Sequence, residues 1–167
     1  LGVPEVADVV AVLRVLGDAT ANPDLVRILT GPRWAIGPAD LAVLGRRARE
    51  LAGGRRPDRD ADARALIAHS VEQTESAQVP SLAEALADPG DGPYTPEARR
   101  RMAACAAELA LLRAHAGAPV PDLVRRVISM LGLEVELGLR GPGGTRQLDS
   151  FVAQVAAYAD IDGDGSL

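Results

Sequence analysis

The 167-residue chain contains no lysine, so all 18 of its basic side chains are arginines. A nucleotide-binding loop of the form Gly-x-x-x-x-Gly-Lys-[Ser/Thr] needs that lysine to reach the β- and γ-phosphates. The sequence therefore excludes an ATPase site of this type. We expect that the isolated chain has no enzymatic activity and binds no cofactor.

Cysteine, aromatic residues and long apolar runs are also scarce, since the chain has one Cys, one Trp, one Phe and two Tyr. Cys105 cannot form an internal disulfide, and its helical spacing from Met102, Leu109 and Leu112 predicts a small buried hydrophobe. No apolar run approaches the roughly 18–20 residues that a membrane span needs, and no signal-peptide pattern is present. We therefore predict a cytoplasmic protein without membrane contact.

The apolar content that is present, 47% of the residues, comes mainly from Val, Leu and Ala. Aliphatic, alanine-rich sequence favours closely packed helices, and this length favours one core. We predict a mostly all-α, irregular helical domain over residues 1–167. Predicted helix starts are Asn22, Pro38, Pro80-Ser81, Thr95, Pro121 and Thr145 or Asp149, with another helix at 63–77 and a short strand or extended segment at 134–139.

The most informative segment is Asn22–Leu51, which reads as two amphipathic helices joined by the loop Gly31–Pro38. Asn22 followed by Pro23 predicts an N-cap with proline at the first helical position. In the loop, Ile36 and Gly37 precede the N-terminus of the second helix, where free N–H groups attract an anion. The segment therefore predicts a helix-hairpin-helix-like device that grips backbone phosphates.

Charge is distributed unevenly around this loop. The net charge is −5, yet residues 27–64 contain nine arginines against five acidic residues, which makes this stretch basic within an acidic protein. The loop is closely followed by three arginines that could flank a bound phosphate, Arg46, Arg47 and Arg49. A solvent-exposed helix face would show the same sequence pattern. Trp34 can stack on a base or ribose, or it can cap the small core under its own loop.

The loop residues Pro32-Arg33-Trp34-Ala35-Ile36-Gly37-Pro38-Ala39-Asp40-Leu41 resemble the Pro-x-Arg-Gly-Ile-Gly-x-x-(Thr/Asp)-Leu hairpin of the 2B accessory subdomain in UvrD/Rep/PcrA-type superfamily 1 helicases. Residues 4–16 are similar to the helix that opens that subdomain, and residues 121–131 are similar to a later one. Among these helicases, the sequence is most similar in character to helicase-nucleases of the AdnAB type. One position departs from the pattern, because Ala35 replaces the first glycine, and a positive φ there would strain alanine by about 1 kcal/mol.

This resemblance implies a non-catalytic regulatory subdomain, excised from within a larger ATP-dependent, 3′-to-5′ DNA helicase that acts in repair or recombination. It implies partners in duplex DNA, bound weakly through its phosphate backbone, and in the motor domains of the parent, which would hold ATP and Mg. The implied DNA-binding residues are Arg33, Trp34, Ile36, Gly37, Arg46, Arg47 and Arg49. The alternative is a helical protein–protein interaction module that does not bind DNA.

A metal site is not expected. Residues 160–167, Asp-Ile-Asp-Gly-Asp-Gly-Ser-Leu, match the start of a calcium-binding EF-hand loop, but the bidentate glutamate at position 12 is missing. His69 and His115 are far apart in sequence and lack ligand spacing, so both read as solvated or packing residues. A calcium-responsive helical domain is therefore only a third reading.

Overall fold

The computed structural model describes residues 4–54, 79–139 and 145–162, which form eight α-helices and no β-strand. The helices are α1 Pro4–Gly17, α2 Asn22–Thr30, α3 Pro38–Gly54, α4 Leu82–Ala87, α5 Pro96–Ala114, α6 Val120–Leu131, α7 Leu133–Leu139 and α8 Arg146–Asp162. The predicted all-α class is confirmed. The predicted helix at 63–77 lies outside the described residues, as do Arg55, Arg56, Arg59 and Arg64.

Helix α1 occupies the centre of the fold, because it packs against α2, α5, α6 and α8. Its apolar positions are not confined to one stripe: Val9, Ala11, Val12 and Val15 are all at most 1% exposed. A helix that is apolar over most of its circumference is stable only when other helices cover it on several sides. The composition of α1 thus determines its central place.

Helices α2, α3 and α5 each bury an apolar face. Leu25, Ile28 and Leu29 of α2 point into the core, and so do Leu44 and Ala48 of α3. In α5 the buried set contains Cys105, as predicted from helical spacing, together with Met102, Leu109 and Leu112. Desolvation at this position is the main cause that raises the pKa of the Cys105 thiol to about 12.

Two predicted helix starts are confirmed by their hydrogen bonds. The Thr95 hydroxyl accepts a bond from the N–H of Ala98 at 3.2 Å, with proline at the next position. Ser81 caps α4 in the same way by accepting from the N–H of Glu84 at 3.1 Å. A third boundary, the end of α6, falls at Gly132 with φ +70°, a conformation that glycine adopts without steric penalty.

The predicted N-cap role of Asn22 is wrong. Ala21 is the residue before α2, and no side-chain cap bond forms there. The Asn22 amide instead donates to the carbonyl of Pro80 at 2.8 Å and accepts from the N–H of Leu82 at 2.9 Å. Because those groups belong to a segment about 60 residues away, only the tertiary fold could assign this side chain.

The predicted short strand or extended segment at 134–139 is also wrong, since these residues belong to α7, Leu133–Leu139. Leu133 and Leu137 are both buried, at 5% and 3% exposure. Their spacing of four residues is the helical one, and it places both on the face that packs against α6.

The helix–loop–helix of α2 and α3 is present, but the two helices do not pack chiefly on each other. Helix α2 packs mainly against α1, and α3 packs mainly against α4. The loop Gly31–Gly37 therefore crosses between two parts of the core. A compact helix-hairpin-helix unit is not what the packing shows.

Candidate nucleic-acid interface

The loop between α2 and α3 is closed by its own backbone. The N–H groups of Trp34 and Ala35 both donate to the carbonyl of Gly31, at 3.2 and 2.8 Å, and the N–H of Ile36 donates to Leu29 at 2.8 Å. Ala35 has φ +45°. Among the described residues, it is the only one other than glycine with a positive φ. Because these three amides already have acceptors, residues 34–36 offer no amide cradle for a phosphate.

Trp34 and Ile36 anchor the loop to the core. Their exposures are 5% and 3%, so neither side chain presents a surface to a ligand. Of the two roles considered for Trp34, the structure shows the indole capping the core beneath its loop, and base stacking is not available in this conformation. The indole Nε1 is buried without a hydrogen-bond partner among the described residues.

Arg33 extends from the loop onto α5. Its Nη2 donates to the Glu108 carboxylate at 2.7 Å, and its guanidinium carbon lies 5.0 Å from the centroid of the Trp34 ring. About a third of each charged side chain remains exposed, 36% for Arg33 and 31% for Glu108. Arg33 is therefore near the surface but already neutralised by an intramolecular partner.

A second residue of α5, Arg101, holds the other side of the loop. Its Nη1 donates to the carbonyls of Trp34 and Ala35 at 3.1 and 3.4 Å, while its Nε donates to Glu97 at 2.6 Å. The carbonyls of the loop thus point toward α5. This contact stabilises the positive φ of Ala35, because it satisfies the backbone oxygens that the turn exposes.

The N-terminus of α3 carries a carboxylate of its own. Asp40, in the first turn, is 7% exposed and accepts bonds from the N–H of Thr95 at 2.7 Å and from its hydroxyl at 3.0 Å. A negative side chain in the first turn interacts favourably with the helix dipole. Its negative charge also opposes the approach of a phosphate to this terminus.

Gly37 itself is half-buried and has space around it. A Cβ at this position would meet no atom within 4 Å, and φ is not positive. The carbonyl of Gly37 accepts the bond from Leu41 at 3.0 Å that starts α3. The fold does not require glycine here, which makes the position a clean test of whether a ligand approaches the backbone.

The three arginines of α3 differ in their contacts. Arg47 donates to the Asp88 carboxylate at 2.5 Å and to its carbonyl at 3.0 Å, and the first of these bonds raises the pKa of the guanidinium. Arg46 and Arg49 are exposed and form no ion pair with any described residue. They are one turn apart, so both extend from the same side of the helix.

The predicted residues therefore do not converge on one point. Arg33 borders a groove between the start of α1, the end of α2 and the α6–α7 junction. Arg46 and Arg47 border another groove, formed with the turn 89–94 that leads into α5. The sequence placed all of them beside one phosphate, whereas the structure distributes them over two surfaces.

Two residues that shape this region, Arg101 and Glu108, escaped the sequence analysis. The contact of Thr95 with Asp40 was also not expected. Arg101 and Glu108 are seven residues apart and border the buried face that contains Met102 and Cys105. Opposite charges two turns apart at the edge of an apolar face are a usable signal for a contact with another segment. Their target, a loop more than 65 residues earlier, was not recognisable from spacing.

No metal-binding or membrane-spanning feature is found within 4–54, 79–139 and 145–162. No group of three or more His, Cys, Asp or Glu residues there is placed to hold a metal ion. None of the helices in these ranges combines the length and the apolar character that a bilayer crossing requires. His69 and the residues of the EF-hand-like stretch after Asp162 lie outside the described part of the chain.

No protein-family model matches the chain, and a search of curated proteins found no significant match either. The resemblance to a helicase accessory subdomain therefore depends on the local motifs alone.

Proposed function

We propose that this chain is a non-catalytic accessory domain of an ATP-dependent DNA helicase and that it contacts the phosphate backbone of duplex DNA. The loop and helix motifs of residues 4–51 support the helicase assignment through their resemblance to a 2B subdomain. The observation that carries the DNA contact is the pair Arg46 and Arg49. Both are exposed, lie one turn apart on α3 and have no carboxylate partner among the described residues.

Arginines without an ion-pair partner among the described residues suit this function because backbone contacts are electrostatic and do not read sequence. An unpaired guanidinium can exchange its counterions for a phosphate without first breaking a protein contact. Arg33 and Arg47 must leave Glu108 and Asp88 before they can do the same. We therefore assign the main contact to Arg46 and Arg49 and a secondary contact to Arg33.

Binding by the isolated chain should be weak. Two to three phosphates give a slope of about −2 to −3 for log K against log salt concentration, and affinity near the 10⁻⁴ M end of non-specific binding. The net charge of −5 opposes approach of DNA further. Within a helicase, the motor domains would hold the duplex nearby, and this tethering makes a weak contact effective.

The direct test replaces both exposed arginines, Arg46→Ala with Arg49→Ala, and measures binding to mixed-sequence duplex by fluorescence anisotropy at low salt. The expected result is a shallower salt slope, by about two units, with unchanged helicity. The matched control is Arg125→Ala with Arg126→Ala, which removes the same charge from α6 and should change the slope little. If the salt slope became equally shallow in both double variants, the net charge of the protein, rather than the arginines of α3, would govern binding.

A second test concerns backbone approach at the start of α3. Gly37→Val adds a side chain into open space, so the fold should tolerate it. If DNA contacts the backbone here, affinity falls while the melting temperature stays near that of the wild type. Unchanged affinity would limit the interface to the arginine side chains.

The alternative function, a helical protein–protein interaction module, is favoured by one specific observation. Arg33, Arg47 and Arg101 all make intramolecular contacts that join the loop and α3 to later segments. Arginines used in this way stabilise a scaffold and are not available for nucleic acid. Absence of any salt-dependent duplex binding would support this reading, whereas lysine-bearing ATPase motifs encoded on either side of this sequence would support the helicase assignment.

A further inference from the structure

Glu108 stands out as the only described carboxylate in contact with the cation of the α2–α3 loop. Its Oε1 accepts from Arg33 at 2.7 Å, whereas its Oε2 is buried without a hydrogen-bond partner among the described residues. The carboxylate thus uses half of its hydrogen-bonding capacity, and Arg33 supplies that half. A carboxylate placed mainly for stability would normally have both oxygens satisfied.

The Arg33–Glu108 pair is also placed where a ligand can compete for it. The two side chains come from segments 75 residues apart, and each keeps about a third of its surface exposed. Ion pairs at this level of exposure contribute little to stability because water and salt screen them. A phosphate oxygen can make the same charge-assisted bond to the guanidinium, so the exchange needs only a small difference in free energy.

We propose that Glu108 is an internal competitor for the ligand phosphate, and that it masks Arg33 in the unbound protein. Duplex DNA would displace the carboxylate from the guanidinium, while Arg46 and Arg49 make the initial contact. This inference rests on the proposed DNA-binding function and adds its regulation: the loop contributes only after Arg33 has left Glu108. Removing the carboxylate charge should therefore strengthen binding, although the residue itself never contacts DNA.

Trp34 provides a reporter of that exchange. It is the sole tryptophan of the chain, it is buried, and the Arg33 guanidinium lies over its ring. Movement of a positive charge away from an indole changes the emission of that indole. If DNA draws Arg33 off Glu108, the tryptophan fluorescence of the wild-type protein should change during a titration with duplex, with no label attached.

The experiment compares Glu108→Gln with the wild type in the same anisotropy assay, using mixed-sequence duplex at several salt concentrations. Glutamine keeps the shape of the side chain and removes its charge, so the fold should be retained. We expect roughly two- to five-fold tighter binding, which corresponds to an exposed ion pair, and a salt slope steeper by about one unit. Adding Arg33→Ala to Glu108→Gln should remove both gains.

The matched control is Asp122→Asn. It also removes one negative charge, and it frees Arg125 on α6, which is paired with Asp122 at 2.9 Å. It should not reproduce the steeper slope. Equal effects of Glu108→Gln and Asp122→Asn, or an unchanged Trp34 emission on DNA binding, would overturn the competitor role while leaving the proposed function intact.

The two proposals fail in different ways. If the wild type and Glu108→Gln both lack salt-dependent binding, the DNA-binding function and the competitor role are overturned together. If the wild type binds through Arg46 and Arg49 but the double variant Glu108→Gln with Arg33→Ala binds as tightly as Glu108→Gln alone, only the competitor role is lost.

Discussion

Ala35 offers the sharpest test of how this sequence fits its structure. Its φ of +45° lies in the left-handed region, where the Cβ of an L-residue crowds the following carbonyl. The side chain is exposed, so its methyl group contributes no packing that a replacement would lose. The change Ala35→Gly therefore isolates the backbone term.

The magnitude follows from two opposing effects. Relief of the left-handed conformation is worth about 1–2 kcal/mol. Glycine also makes the unfolded chain more flexible, and this offsets about 0.4–1 kcal/mol of that gain. We expect a net increase in the free energy of unfolding of about 0.5–1 kcal/mol, or a rise in Tm of roughly 1–4 °C for a chain of this size.

Urea unfolding followed by far-UV circular dichroism would measure this difference. The matched control is Ala42→Gly, at an exposed position inside α3, where glycine should destabilise the protein by about 0.5–1 kcal/mol. The two Ala-to-Gly changes thus have opposite expected signs. A decrease for Ala35→Gly as large as that for Ala42→Gly would refute the positive φ.

Three further predictions concern stability and reactivity. Asp40→Ala should lower the free energy of unfolding by about 1–3 kcal/mol in chemical denaturation, because the N–H and the hydroxyl of Thr95 both lose a charged acceptor; an unchanged midpoint would show that water replaces the carboxylate. Gly92→Ala should destabilise the protein as well, since its Cβ would lie 2.7 Å from Val43, and a melting temperature equal to that of the wild type would mean that the turn moves freely. The thiol of Cys105, with its pKa raised to about 12, should react with a thiol reagent at pH 8 only after unfolding. Because the folded state holds that proton more tightly, the stabilisation is complete below the unfolded pKa and is lost as the pH rises toward 12; a flat stability profile above pH 9 would contradict this.

Local chemistry was predictable wherever neighbours in sequence supply the partners. Thr95 before proline caps its helix as expected, and α4 begins at the predicted Pro80-Ser81, where Ser81 forms the cap, because an N-cap bond joins residues three apart. The burial of Cys105 followed in the same way from the helical repeat of apolar residues around it. A residue in left-handed conformation was also foreseeable as a possibility at Ala35, from the glycine that stands there in the motif it resembles.

Partners far along the chain were not predictable. Asn22 has the sequence context of an N-cap, yet its amide bonds to the segment that begins α4. Arg33 was expected to be free for a phosphate, yet Glu108, 75 residues later, neutralises it. A hydrogen bond does not depend on sequence separation, so a single sequence contains no local signal for which of several carboxylates an arginine meets.

The sequence by itself determined the helical class, most helix boundaries and the apolar faces, because these depend on periodicity and capping within a few residues. Only the tertiary structure decided which arginines remain available to a ligand. Packing of α5 beside the α2–α3 loop buries Trp34 and pairs Arg33, and packing of the turn 88–94 beside α3 pairs Arg47. Arg46 and Arg49 are exposed and form no ion pair with the described residues, because the nearby Glu50 and Asp88 carboxylates both pair with Arg47 instead.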